Sequence, residues 1–236
     1  EIAEKEERPI CQDTGIPVFF VKLGTELDLN YDLNSVLKKA VKSATKNVPL
    51  RPNVVNPLTR ENTGDNTGEN QPIIHIEAFP GEKFELDLLL KGAGSENWSK
   101  LFMMKPTSSL KDVEKVIIDL IKEAGGEPCP PTIVGVGIGG SADTAGLLAK
   151  KSLLRPINEQ NENEELAELE NQITEKANET GIGPMGLGGK TTVLSTNILS
   201  ADCHTASLPV AVNLQCWADR RARAKLINDE LEIEVP

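Results

Sequence analysis

The chain is poor in aromatic residues: five Phe, two Trp and one Tyr make up 3% of its 236 residues, so a core of this size has to be aliphatic. It is also short of positive charge, with 25 Lys and Arg against 36 Asp and Glu and a formal net charge of −11. That balance argues against nucleic acid and against an anionic membrane surface as partners, and any dianionic ligand must be met by a local cationic pocket. No run approaches the ~20 apolar residues of a membrane span, and no basic-then-apolar segment opens the chain. Four cysteines are too few for a disulfide scaffold and point to a reducing cytoplasm.

What is present in a distinctive setting is cysteine. Cys11 is followed by Gln12, Asp13, Thr14 and Gly15, Cys129 is boxed by Pro128, Pro130 and Pro131, and Cys216 lies between Gln215 and Trp217. Three thiolates gathered by a fold are able to hold an iron–sulfur cluster that normally takes four, leaving one iron open to a substrate oxygen. The gaps of 118 and 87 residues are unlike the close spacing of ferredoxin motifs, so tertiary structure would have to do the gathering. On spacing alone the alternative is that these are small buried hydrophobes. The prolines around Cys129 favour a rigidly held backbone over core filling.

Periodicity predicts a buried strand over Ile16–Leu23 and a helix carrying Leu33, Val36, Leu37, Ala40, Val41 and Ala44, capped by Asp32. Residues 51–72 read as a structured polar loop without the register of a calcium site. Ile73–Ala78 and Lys83–Leu90 predict an antiparallel hairpin around Pro80-Gly81. Ser109–Ala124 is a helix stopped by Gly125-Gly126, Thr132–Ile138 a strand and Ser141–Leu154 a helix. Asn158–Glu170 reads as a solvated helix face, with a lobe connection near 155–170. Thr191–Leu199 and Ser207–Leu214 are strand-like, and Ala218–Asn228 is expected to be helical. The fold class that follows is α+β, mixed strands and helices with an antiparallel hairpin, two lobes around a cluster-binding cleft being one form it can take.

Two glycine patterns need weighing. Gly135-Val136-Gly137-Ile138-Gly139-Gly140 has the spacing of a dinucleotide loop, but the acidic residue about 20 positions on falls in the Asn/Glu-rich connection, where no strand is expected. A turn whose amides approach a cluster or a carboxylate accounts for the same glycines. Gly188-Gly189-Lys190-Thr191 resembles the tail of a phosphate loop, yet Pro184 stands where that loop requires glycine. Lys190 is left to hold an anion or to cap the turn.

Cys11-Gln12-Asp13-Thr14-Gly15, Arg51-Pro52-Asn53, the Lys91–Asn97 stretch, Cys129-Pro130-Pro131, Gly188–Thr191, His204–Pro209 and Gln215-Cys216 occur in this order along nearly the whole chain. Together they resemble the iron–sulfur (class I) fumarate hydratases and the L(+)-tartrate dehydratases. The resemblance implies a hydro-lyase in which Cys11, Cys129 and Cys216 hold a [4Fe-4S] cluster with one open coordination position, most simply converting (S)-malate to fumarate, with L(+)-tartrate as the alternative. It implies Asp13 as the acid that protonates the departing oxygen, and Gln12, Arg51, Gly92, Gly94 and His204 as substrate contacts. It also implies a β subunit or C-terminal domain that brings the base, in a heteromer with homodimeric pairing, and a helical segment ahead of Cys11. Cys203 is expected to be a core or neighbouring thiol, His75 structural, and the cationic segment Ala218–Lys225 either a local positive field or balance for an acidic surface. From another class, a non-catalytic metal or thiol module is the rival.

Overall fold

The computed structural model describes residues 1–48, 50–227 and 230–235, Ile227 by its backbone alone. The elements in chain order are α1 (Ile2–Lys5), β1 (Ile16–Gly24), α2 (Leu33–Asn47), β2 (Ile73–Phe79), β3 (Phe84–Lys91), α3 (Ala93–Glu96), β4 (Lys100–Met104), α4 (Leu110–Ala124), β5 (Thr132–Gly139), α5 (Ala142–Ser152), α6 (Glu164–Glu179), a 3-10 turn (Pro184–Gly186), β6 (Val193–Ala201), β7 (Leu208–Gln215), β8 (Arg220–Ile227) and β9 (Glu230–Glu234). They form two compact units, one of Glu1–Ala93 with Arg220–Pro236 and one of Gly94–Asp219. The architecture is α+β with two mixed sheets.

The first unit is a five-stranded sheet in the order β2-β1-β3-β8-β9. Phe19 and Val21 of β1 meet Leu37 and Val41 of α2, with Ile74, Phe84, Leu86 and Leu88 around them. That face continues through Ala224 and Leu226 to Leu231 and Ile233. Side chains alternate across a strand, so the other face carries a row of alternating sign: Glu77, Lys22, Glu85, Lys225 and Glu232 are successive cross-strand neighbours. Lys22 Nζ reaches Glu85 Oε2 at 3.3 Å, and Arg223 in the adjoining row binds Asp87.

Two sequence expectations fail in this unit. The strands of the expected hairpin form, but they do not pair with each other: β1 lies between them, parallel to β2 and antiparallel to β3. Val18, Phe19, Phe20 and Val21 are buried on both faces of β1, which suits an interior strand. The 80–83 connection crosses the end of β1 at Gly24, where a Cβ would lie 2.2 Å from the Gly81 carbonyl oxygen. Ala218–Asn228 is not helical either. Arg220–Ile227 within it forms β8, because Arg221, Arg223 and Lys225 alternate with Ala222, Ala224 and Leu226, and this period of two outweighs the helix propensity of Ala, Arg and Lys; Asn228 lies outside the described residues.

The second unit has the sheet order β4-β7-β5-β6. On one face α4 and α6 bury Val113, Ile117, Ile121, Leu169, Ile173 and Ala177 against Val134, Val136, Ile198, Val210, Val212 and Leu214. On the other, Ala145 and Ala149 of α5 meet Ala211. The α4 start is a capping box, with Ser109 and Asp112 each satisfying the other's backbone N–H. Residues 155–170 lie within this unit. They are not simply a solvated face: Glu170, 6% exposed, pairs with Arg155 at 2.6 Å and accepts from the Ile198 N–H and from Asn161.

The glycines of the 135–140 pattern serve packing more than ligand approach. Gly135 and Gly137 lie inside β5, and a Cβ at either would fall 2.2 or 2.1 Å from a carbonyl oxygen of α5. Of these glycines, Gly139, the last residue of β5, and Gly140 just beyond it have positive φ, +89° and +67°.

Candidate active site

In the first unit the residues of interest converge on Asp13. Its Oδ1 accepts from the Gly15 N–H at 2.9 Å and from Asn53 Nδ2 at 2.7 Å, and its Oδ2 accepts from the Ala93 N–H at 2.9 Å. One carboxylate thereby ties together the Cys11 turn, the Arg51–Asn53 loop and the Gly92–Ala93 turn. Gly15 makes the approach feasible, since at φ +79° a Cβ would sit 3.0 Å from the backbone of Leu90 and Lys91.

The Arg51 loop has its own anchor, Asn66, which sequence reasoning passed over as part of a structured polar loop. Asn66 is 1% exposed at φ +58°, a backbone region that Asn tolerates better than most residues. Its Oδ1 accepts from the Asn53 N–H, and its Nδ2 donates to the Arg51 carbonyl and to Thr45 Oγ1. The Arg51 side chain is exposed, and its guanidinium makes no hydrogen bond or ion pair among the described residues. A fixed backbone carrying a free fork of donors is the arrangement that suits bidentate capture of a carboxylate. Gln12 is exposed, with its Oε1 3.6 Å from Cys11 Sγ, and the Gly92 carbonyl accepts from buried Lys91.

In the second unit Cys129 is held at φ +56°, a strained region for a non-glycine residue and one that recurs at ligand clamps. Its carbonyl accepts from the Trp217 N–H at 3.2 Å, which joins the Cys129 loop to the residue after Cys216. Gly94 packs against the same loop: its Cβ position lies 3.3 Å from the Glu127 carbonyl, while Trp98 Nε1 donates to Glu127 Oε2. Glu96 fastens this segment, taking Lys150 of α5 on one oxygen and Asn213 of β7 on the other. His204 is exposed and accepts the Ala206 N–H on Nδ1, so the neutral ring carries its proton on Nε2.

None of the four cysteines forms a disulfide among the described residues and none is buried, which removes the core-filling reading, and Cys203 is exposed like Cys129, with its Sγ 3.2 Å from the Ser207 carbonyl. Lys190 is exposed and unpaired among the described residues, and His75 stacks on Phe20. Among the described residues no group of three or more His, Cys, Asp or Glu is placed to hold a single metal ion. Three accessible thiols on separate loops, one of them on a strained backbone, suit in kind a cluster that gives each thiolate a different iron.

The model of the Fumarate hydratase (Fumerase) family matches residues 1–225. The chain belongs to this family. A protein of Methanocaldococcus jannaschii, named as a candidate L(+)-tartrate dehydratase subunit alpha, is 50% identical over 226 residues, which cover 94% of this chain and 79% of that protein. The L(+)-tartrate dehydratase subunit alpha of Escherichia coli K12 is 39% identical over 228 residues, covering 96% of this chain and 75% of its own length. A Geobacillus stearothermophilus protein, named as a candidate class I fumarate hydratase, is 38% identical over 229 residues, and this chain spans 44% of it. Family membership makes the chain a hydro-lyase and sets aside the non-catalytic thiol module. No helix among the described residues is long and apolar enough to cross a membrane.

Proposed function

We propose that this chain is the cluster-bearing subunit of a cytoplasmic hydro-lyase that removes water from a small hydroxy-dicarboxylate. Cys11, Cys129 and Cys216 would hold a [4Fe-4S] cluster, which when bound would supply Lewis acidity for loss of the hydroxyl. The observation that carries the reading is the Asp13 knot, which brings the first thiol's turn, the Arg51 loop and the Gly92 turn to one carboxylate.

In this reading Arg51 grips a substrate carboxylate with its unpaired guanidinium, Gln12 orients the substrate, and the backbone at Gly92 and Gly94 lies against it. His204 offers Nε2–H as a further donor. Asp13 delivers the proton to the departing oxygen. Oδ1 accepts two N–H groups and Oδ2 only one, so the open lone pair of Oδ2 is the place for a proton on Asp13. The C–H base is assigned to a β subunit, in keeping with relatives named as alpha subunits.

The substrate is (S)-malate on the sequence resemblance. L(+)-tartrate is the second reading, favoured by 50% identity to a relative of which the chain covers 79%. Anaerobic reconstitution of the chain with its β partner, followed by assays with malate, fumarate and L(+)-tartrate, tests both. Dehydration of one of them that requires both polypeptides is expected; a complex that takes up iron and sulfide and dehydrates none overturns the reading.

A further inference from the structure

Arg220 is an unusual cation. It opens β8 opposite Leu90 near the end of β3, so it stands at the end of the sheet where the Cys11 turn enters β1 and the Gly92 turn leaves β3. Its Nη2 donates to the Asp13 main-chain carbonyl in a short contact. Further along the same strand, Arg223 pairs with Asp87. Arg220 makes no ion pair among the described residues, and its Nε is buried without a hydrogen-bond partner. Burying an unsatisfied guanidinium N–H is costly, and no ion pair compensates here. The hydrogen bond its side chain makes is charge-assisted and goes to the backbone two residues after Cys11.

That contact completes the restraint on this turn. The Asp13 side chain is held by Gly15, Asn53 and Ala93, and the Gly15 bond closes an Asx turn around the peptide between Asp13 and Thr14, but none of these bonds engages the carbonyl of that peptide. Arg220, carried on the interior strand β8, supplies the donor that holds this carbonyl. A lysine keeps the charge but reaches the carbonyl as a single point, without the planar fork that packing can lock.

We propose that Arg220 is a positioning residue for the Cys11 turn: its guanidinium, through the Asp13 carbonyl, fixes the direction in which Cys11 and Gln12 approach the end of β1. The consequence for catalysis rests on Cys11 being a cluster ligand, whereas the clamp itself does not.

The test therefore begins with the metal-free, reduced full chain. Each thiol is alkylated with iodoacetamide and its rate followed by peptide mass spectrometry, with exposed Cys203 as the internal reference. Arg220→Met is expected to raise the Cys11-to-Cys203 rate ratio at least about threefold, within the roughly tenfold increase in local opening that loss of one charge-assisted bond permits. Arg220→Lys should fall between wild type and Arg220→Met. After anaerobic reconstitution with iron and sulfide, Arg220→Met should also show an altered electron paramagnetic resonance spectrum of the reduced cluster. An unchanged ratio in folded Arg220→Met overturns the clamp; if that variant does not fold, the same ratio in Arg220→Gln, which keeps a neutral donor, decides. Wild type that takes up no iron would refute the cluster reading and leave the alkylation result standing.

Discussion

Asn53 donates from Nδ2 to Asp13 Oδ1 at 2.7 Å across forty residues of sequence, and its own N–H is taken by buried Asn66. The Arg51 loop is thus tied to the Cys11 turn by one side chain. Asn53→Ala should lower stability by about 1.5–3 kcal/mol in urea denaturation, the range for a bond to a charged acceptor. Asn53→Asp should cost more at neutral pH, because it replaces the donor with a second carboxylate facing Asp13. Equal midpoints for both variants and wild type would show that the bond contributes nothing.

Much of this was legible beforehand. Val18–Val21, the Leu33–Ala44 helix period and the Ser109 cap are local signals, and β1, α2 and α4 formed where those signals lay. Pairing is not local: nothing in Ile73–Leu90 announces that β1 inserts between its two strands. Asn66 was hidden because its role depends on a left-handed backbone and on partners thirteen to twenty-one residues away. Arg220 was hidden by an Arg-rich run that reads equally well as surface balance.

Asp65 gives a pH-dependent term. The Thr67 hydroxyl and then the Lys42 ammonium hold its carboxyl down from 3.8 to about 2. A depressed folded-state pKa stabilises the fold above about 3.8, and this contribution disappears as pH falls through about 2. Asp65→Asn should therefore have a lower urea midpoint than wild type at about pH 6, with the gap closing between about pH 4 and about pH 2. Because the side chain is 31% exposed, the gap should be modest. A constant gap at all pH values would reject the assignment.

Gly137 and Gly146 make opposite predictions within one helix–strand contact. A Cβ on Gly137 falls 2.1 Å from the Ala145 carbonyl oxygen, so Gly137→Ala must push α5 off the sheet and should cost about 3 kcal/mol. Gly146 lies on the exposed side of α5 with nothing within 4 Å of its Cβ position, so Gly146→Ala should stabilise by up to about 1 kcal/mol. Thermal melts of the two variants check both signs.

The thiols separate by cofactor content. Cys11→Ser, Cys129→Ser and Cys216→Ser should each lower the iron and sulfide bound per chain after reconstitution, while Cys203→Ser should match wild type. Loss of cluster in Cys203→Ser alone would reassign the ligands.

Asp13 separates proton transfer from scaffolding. In Asp13→Asn the amide oxygen still accepts from Gly15 and Asn53, but its NH2 then meets the Ala93 N–H, donor against donor. Turnover of the assembled enzyme should fall by roughly 10²–10⁴-fold with the cluster retained, the usual contribution of a positioned acid. Adding Asn53→Asp to Asp13→Asn reverses the pair: the new amide at position 13 can donate to the new carboxylate at position 53 and turn its oxygen to the Ala93 N–H, which restores most of the knot apart from the Gly15 bond. Stability of the double variant should recover toward wild type while turnover stays low, because no transferable proton has been returned to position 13. If turnover recovers along with stability, Asp13 acts by holding the three segments together, and the proton comes from another group.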